Sequence, residues 1–173
     1  NSLEKNAAMR ALGVQLVEHG DDFQAAAEHA AMLAERDGMH RVPSFHRELV
    51  RGVSTAYVEF FSALKDAPPD VLFVPIGLGS GFAAAAAARA HCGVSTRLIG
   101  VVSAHATAYR DSFRAGRPVE SPASTRLADG MACRTPVPES VEVILREADD
   151  VITVTDDEIA EAMRILFSDT HNV

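Results

Sequence analysis

Lysine is almost missing from this chain of 173 residues: only Lys5 and Lys65 carry an ε-amine, so any chemistry that needs one has two candidates. Cysteine is equally scarce, and Cys92 with Cys133 is too few for a disulfide framework or a thiolate metal cluster. Positive charge is in deficit, since 16 Lys+Arg against 24 Asp+Glu leave a formal net charge of −8. That balance excludes a broad basic footprint for nucleic acid or an anionic membrane. No apolar run approaches the roughly 20 residues of a membrane-spanning helix. The opening Asn1-Ser2-Leu3-Glu4-Lys5 is polar and lacks signal-peptide architecture. The expectation is a soluble, reduced, cytoplasmic protein whose 47% hydrophobic residues are enough for a real core. Because the first residue is Asn and a helix already reads as under way, we expect a piece of something longer.

Helical and strand periodicities then alternate along the chain. Ser2 can cap a helix that reaches Leu12 and stops at Gly13. Residues 14–17 read as a short strand, and Asp21 with Gln24 has capping-box spacing for an alanine-rich helix to about Arg36. Residues 39–42 read as another strand. Leu49, Val50, Val53, Tyr57, Phe60, Phe61 and Leu64 recur at three- and four-residue steps, the signature of an amphipathic helix over residues 47–64. Val71-Leu72-Phe73-Val74 is a continuous apolar run, as expected for a strand covered on both faces of a parallel sheet. A nearly pure alanine helix follows over residues 82–91, then a buried strand over 98–102. Residues 103–138 are weakly periodic, a long loop for a compact domain and therefore a candidate for function or subunit contact. A helix at 141–146, a strand at 151–154 and a capped helix from Thr155 to about Phe167 close the chain. Strands separated by helices predict an α/β fold, a mainly parallel sheet with flanking helices.

Gly77-Leu78-Gly79-Ser80-Gly81 stands between a buried strand and a helix N-terminus. Glycines there let the backbone approach an oxyanion, and the helix end adds positive potential. The spacing is neither a P-loop, since no Gly-Lys-Ser/Thr follows, nor the dinucleotide fingerprint, since Phe82 stands where a third glycine is needed. By spacing alone, a tight turn and a phosphate-bearing ligand both remain open.

Several ordered blocks carry a resemblance. Asn6-Ala7-Ala8-Met9-Arg10-Ala11-Leu12-Gly13, Val42-Pro43-Ser44-Phe45, Val74-Pro75-Ile76 with the glycine turn, Leu127-Ala128-Asp129-Gly130 and Asp156-Asp157-Glu158-Ile159 resemble segments of fold-type II pyridoxal-phosphate enzymes, above all the serine/threonine dehydratases. The resemblance implies a tryptophan-synthase-beta-like architecture, partial in this chain, with residues 1–43 in a small domain and 44–173 in a large cofactor-binding domain. It implies β-elimination from L-threonine or L-serine to a 2-oxo acid and ammonia, with pyridoxal phosphate as cofactor, a small hydroxy amino acid as substrate and a homodimer as assembly. Gly77, Leu78, Gly79, Ser80 and Gly81 match the family's phosphate loop, and Ser44 matches a position that touches the cofactor in some relatives. A bulky residue at Gly79 is expected to abolish cofactor binding while leaving the fold largely intact.

The family's cofactor-bonding lysine belongs upstream of everything here. Lys5 and Lys65 both read as surface lysines, and Ser112-Phe113-Arg114-Ala115-Gly116 imitates the lysine motif only with an arginine, which stays protonated. No catalytic residue is therefore assigned, and the 173 residues alone are expected to be inactive. Some relatives bind a cation through carboxylates after the strand that follows the loop; residues 102–109 offer neither Asp nor Glu, so no metal site is assigned. Cys133 reads as a buried thiol and the acidic residues near the C-terminus as a solvated face. Rival readings are a 3-hydroxyaspartate ammonia-lyase, a serine racemase, and a non-catalytic module that binds a phosphate-bearing ligand.

Overall fold

The apolar runs without polar alternation form the sheet. In the computed structural model, which describes residues 3–125 and 127–171, β1 (Val71–Pro75), β2 (Arg97–Ser103) and β3 (Asp150–Val154) lie parallel in the order β1-β2-β3. Val74 pairs with Gly100, and Gly100 with Val151. Leu98, Val102 and Ser103 of the central strand are each 1% exposed or less, as coverage on both faces requires. Gly100 keeps the middle of β2 thin: a Cβ there would lie 2.5 Å from Ile76 Cδ1.

With the sheet go α3 (Arg47–Ala63), α4 (Ser80–Cys92), α5 (Ala108–Ala115), α6 (Pro138–Glu147) and α7 (Asp156–Thr170), of which α4 packs on β1 and α5 on β3. Alanine makes α4 narrow enough to sit between neighbours, and Phe82, Ala83, Ala84, Ala85, Ala86 and Ala88 are all buried. α3 and α6 both pack on it. Arg89 reinforces the α6 contact, its guanidinium donating to Glu147 Oε2 at 2.8 Å and to the Thr96 carbonyl at 3.2 Å. The amphipathic stripe of α3 is narrower than expected: Phe61 is buried and Val50, Val53 and Tyr57 are half-buried, whereas Leu49, Phe60 and Leu64 are exposed. The stretch read as loop contains α5, which buries Ala108, Tyr109 and Ser112 on one side; arginines and alanines around them hide that stripe in the sequence. Beyond it come an isolated bridge, Ala106 to Ala123, and one turn of 3-10 helix at Asp129–Met131.

By contact the chain divides into two compact units, Asn1–Val42 and Pro43–Val173. The first holds α1 (Leu3–Ala11) and α2 (Phe23–Asp37). Asp22, not Asp21, caps α2, its carboxylate accepting from Ala25 N at 2.8 Å. The Ser2 cap lies outside the described residues. Residues 14–17 and 39–42 are not strands. A strand needs a neighbour to take its backbone groups, and no described strand pairs with either segment. Val14, Val17 and Val42 are accordingly exposed.

Candidate functional site

The Ile76 N–H still reaches the Val101 carbonyl at 2.8 Å, so the chain leaves the sheet only at Gly77. α4 begins at Ser80, and the turn therefore sits at the carboxyl end of a parallel strand, where open α/β sheets place ligands. The first helical bond runs from Ala83 N–H to the Gly79 carbonyl at 2.9 Å. Among the described residues, no acceptor takes up the N–H groups of residues 77–82. The first turn of α4 holds no acidic residue, and the Ser80 hydroxyl there makes no hydrogen bond to the described residues. A row of free donors at the positive end of a 13-residue helix suits a dianionic phosphate.

The glycines of the turn answer to different constraints. Gly79 has φ 89 and ψ 1, and a Cβ on it would lie 1.8 Å from Ser140 Oγ. A Cβ on Gly77 would lie 2.3 Å from the Gly130 carbonyl oxygen, so the Leu127-Ala128-Asp129-Gly130 block is folded against the turn. Gly81 has room: a Cβ there would meet only the Tyr57 hydroxyl, at 3.8 Å. No protein contact demands glycine at Gly81, and its bare Cα leaves open the space beside the first turn of α4.

Behind the turn stands Tyr109, 2% exposed. Its hydroxyl donates to the Leu78 carbonyl at 2.9 Å and accepts from the Val137 N–H at 3.1 Å. Burial pushes this phenol up to about 12, against the opposing pull of the Ser140 hydroxyl and the Val137 N–H. Ser140 Oγ is near enough to act on the phenol, yet it satisfies no hydrogen-bond geometry and is left without a partner. Burial likewise drives the Cys133 thiol up to about 11, which keeps it protonated and unreactive near neutral pH.

Ser44 is not brought to the turn. Tyr57 of α3 faces Gly81, whereas Phe45, His46 and Arg47 share a cleft of about 650 Å³ with Ala87 and Ala90 of α4. α3 thus runs antiparallel to α4, and exposed Ser44 precedes its far end, beside the Cys92 end of α4. Neither lysine belongs to the elements that build the turn. The acidic residues are more than a solvated face: Glu147 holds Arg89 and Arg146, Asp149 accepts from the Leu98 N–H, and Asp156 accepts from the Thr125 hydroxyl. Tyr109, Ser140 and Gly130 were not singled out as site residues by sequence. Their only signal is that Tyr109 is one of two tyrosines and that Gly130 falls in a family-like block.

Pyridoxal-phosphate dependent enzymes match this sequence over residues 1–173. The chain is 31% identical over 170 residues to the threonine dehydratase of Nicotiana attenuata, covering 98% of this chain and 28% of that enzyme. It is 30% identical over 164 residues to the mitochondrial threonine dehydratase of Saccharomyces cerevisiae, covering 94% and 28%. The processed form of threonine deaminase isoform 2 from Solanum lycopersicum superposes with a TM-score of 0.88 at 28% identity, covering 100% of this chain and 47% of that one. The chain thus spans between a quarter and a third of the length of each of these two dehydratases. With a match from the first residue to the last and a turn whose free N–H groups suit the cofactor's phosphate, the chain belongs to the pyridoxal-phosphate dependent enzymes.

Proposed function

We propose that the protein carrying this chain is an ammonia-lyase that dehydrates and deaminates L-threonine or L-serine to a 2-oxo acid and ammonia. The observation that carries the reading is the set of N–H groups at residues 77–82 that find no acceptor among the described residues, with no carboxylate in that helical turn. Similarity to threonine dehydratases supports the choice of substrate. When bound, pyridoxal phosphate supplies the ring that withdraws electrons from the reacting carbon. The residues of this chain bind and orient. Gly77, Leu78, Gly79, Ser80 and Gly81 offer backbone N–H groups to the phosphate, Ser80 adds its hydroxyl, and the α4 dipole favours the dianion. Tyr109 and Cys133 stay neutral beneath the loop, so neither puts a negative charge against the phosphate.

Bonding the cofactor and removing the α-proton fall to a lysine other than Lys5 and Lys65. Residues 1–43 take the place of small-domain sequence and 44–173 that of the large cofactor-binding domain, close to the division into two units. We read the assembly as a homodimer and its place as the cytoplasm. No described helix is long and apolar enough to cross a membrane.

The assay that tests this follows 2-oxo acid and ammonia from the native protein with added pyridoxal phosphate. Equal amounts of both from L-threonine or L-serine are expected. D-serine formed from L-serine without ammonia would turn the reading to a racemase, and products only from 3-hydroxyaspartate would turn it to that substrate.

A further inference from the structure

Tyr109 reaches the glycine turn from within the core, as part of the cluster with Val74, Ile76, Phe82, Val141 and Ile144. Its two hydrogen bonds join the Leu78 carbonyl, α5 and the Val137 N–H at the start of α6. A trans peptide unit points its carbonyl and its N–H in opposite directions, and the chain has no cis peptide among the described residues. With the Leu78 carbonyl drawn toward the phenol, the Gly79 N–H must point away from the core. Among the described residues the N–H groups of the turn have no acceptor, so a ligand on that side can take the Gly79 N–H. The reverse orientation would turn a carbonyl oxygen toward a bound anion and would leave the buried phenol without its acceptor, which is costly.

We propose that Tyr109 is a positioning residue for the phosphate: its hydroxyl sets the Leu78–Gly79 peptide so that the Gly79 N–H donates to the ligand. The phenol touches no ligand itself. A tyrosine suits the task because its rigid ring is anchored in the core, and because it remains a neutral donor throughout the working pH range. The inference rests on reading the glycine turn as a phosphate cradle.

The test compares pyridoxine phosphate with pyridoxine, which lack the aldehyde and so report non-covalent contact alone, in the native protein freed of cofactor. Wild type should prefer the phosphorylated compound. Tyr109→Phe, which keeps the ring packing, should reduce that preference about tenfold, the worth of one well-aimed hydrogen bond to a charged group. Affinity for pyridoxine itself should be unchanged. Val141→Ala loosens the same core cluster without removing either hydrogen bond of the phenol and should leave the preference intact. An unaltered preference in Y109F, or an equal loss in V141A, overturns the role of the phenol. No preference in wild type overturns the cradle itself, which is a separate failure. Should Y109F not fold, the wild-type protein still decides: inorganic phosphate should shift the Gly79 amide resonance and slow exchange of the Tyr109 hydroxyl proton. A Gly79 shift without any change at Tyr109 contradicts the proposal.

Discussion

Gly79 and Gly81 stand two residues apart in one turn, yet a methyl group would do different things at each. At Gly79 it would meet Ser140 Oγ at 1.8 Å on a backbone with φ 89. Gly79→Ala should therefore lose on the order of 1–3 kcal/mol of stability, the usual cost of overpacking. The sequence reading, that a bulky residue at Gly79 spares the fold, is corrected by this contact. Gly81→Ala is the cleaner probe. With ordinary contacts and no left-handed backbone, it should fold as well as wild type or gain up to about 1 kcal/mol from helix propensity. It should nonetheless bind pyridoxine phosphate more weakly. Thermal unfolding and a fluorescence titration on one preparation check both halves; undiminished binding would show that Gly81 does not keep space for the ligand. The turn was legible because its glycines interrupt an apolar run and an alanine run within a few residues. Tyr109 was not, since its bond to Leu78 spans 31 positions and nothing local fixes that register.

The helices and strands divide along the same line between local and distant causes. The α7 cap is local: Thr155 Oγ1 accepts from Glu158 N at 3.2 Å while the Glu158 carboxylate takes the Thr155 N–H at 2.7 Å. Four residues suffice to write that box, and the sequence shows it. Thr155→Ala should cost about 1 kcal/mol at neutral pH, as threonine caps do. The Thr155 backbone N–H, then its hydroxyl, hold the Glu158 carboxyl below its usual range. The carboxylate's help is complete above the ordinary glutamate range and fades as pH falls through the lowered folded value. The gap between wild type and T155A should therefore shrink in acid. Thermal melts at neutral and acidic pH measure it, and a constant gap would contradict the box. Residues 14–17 and 39–42 fail as strands for the opposite reason, because strand formation depends on a neighbour that their own sequence does not specify. α5 was hidden because a single helical face of Ala108, Tyr109 and Ser112 is too sparse to register among arginines and alanines.

At the scale of the molecule, the three parallel strands among the described residues put the glycine turn at the carboxyl end of β1, and no described strand pairs with the outer edge of β1 or β3. Phe73 is 60% exposed on β1, and Met163, Ile165, Leu166 and Phe167 are exposed on α7. The α/β class and the parallel sheet were legible from the order of apolar runs, which is a property of the whole chain. The lysine that the proposed activity needs was legible only as a gap, since neither Lys5 nor Lys65 lies in the elements of the turn. Borohydride trapping of pyridoxal phosphate on the native protein, followed by peptide mapping, locates the lysine that bonds the cofactor. A reduced pyridoxyl label is expected on a lysine other than Lys5 and Lys65, with inorganic phosphate in competition slowing the labelling. A label on Lys5 or Lys65, labelling indifferent to phosphate, or no label at all would contradict that expectation.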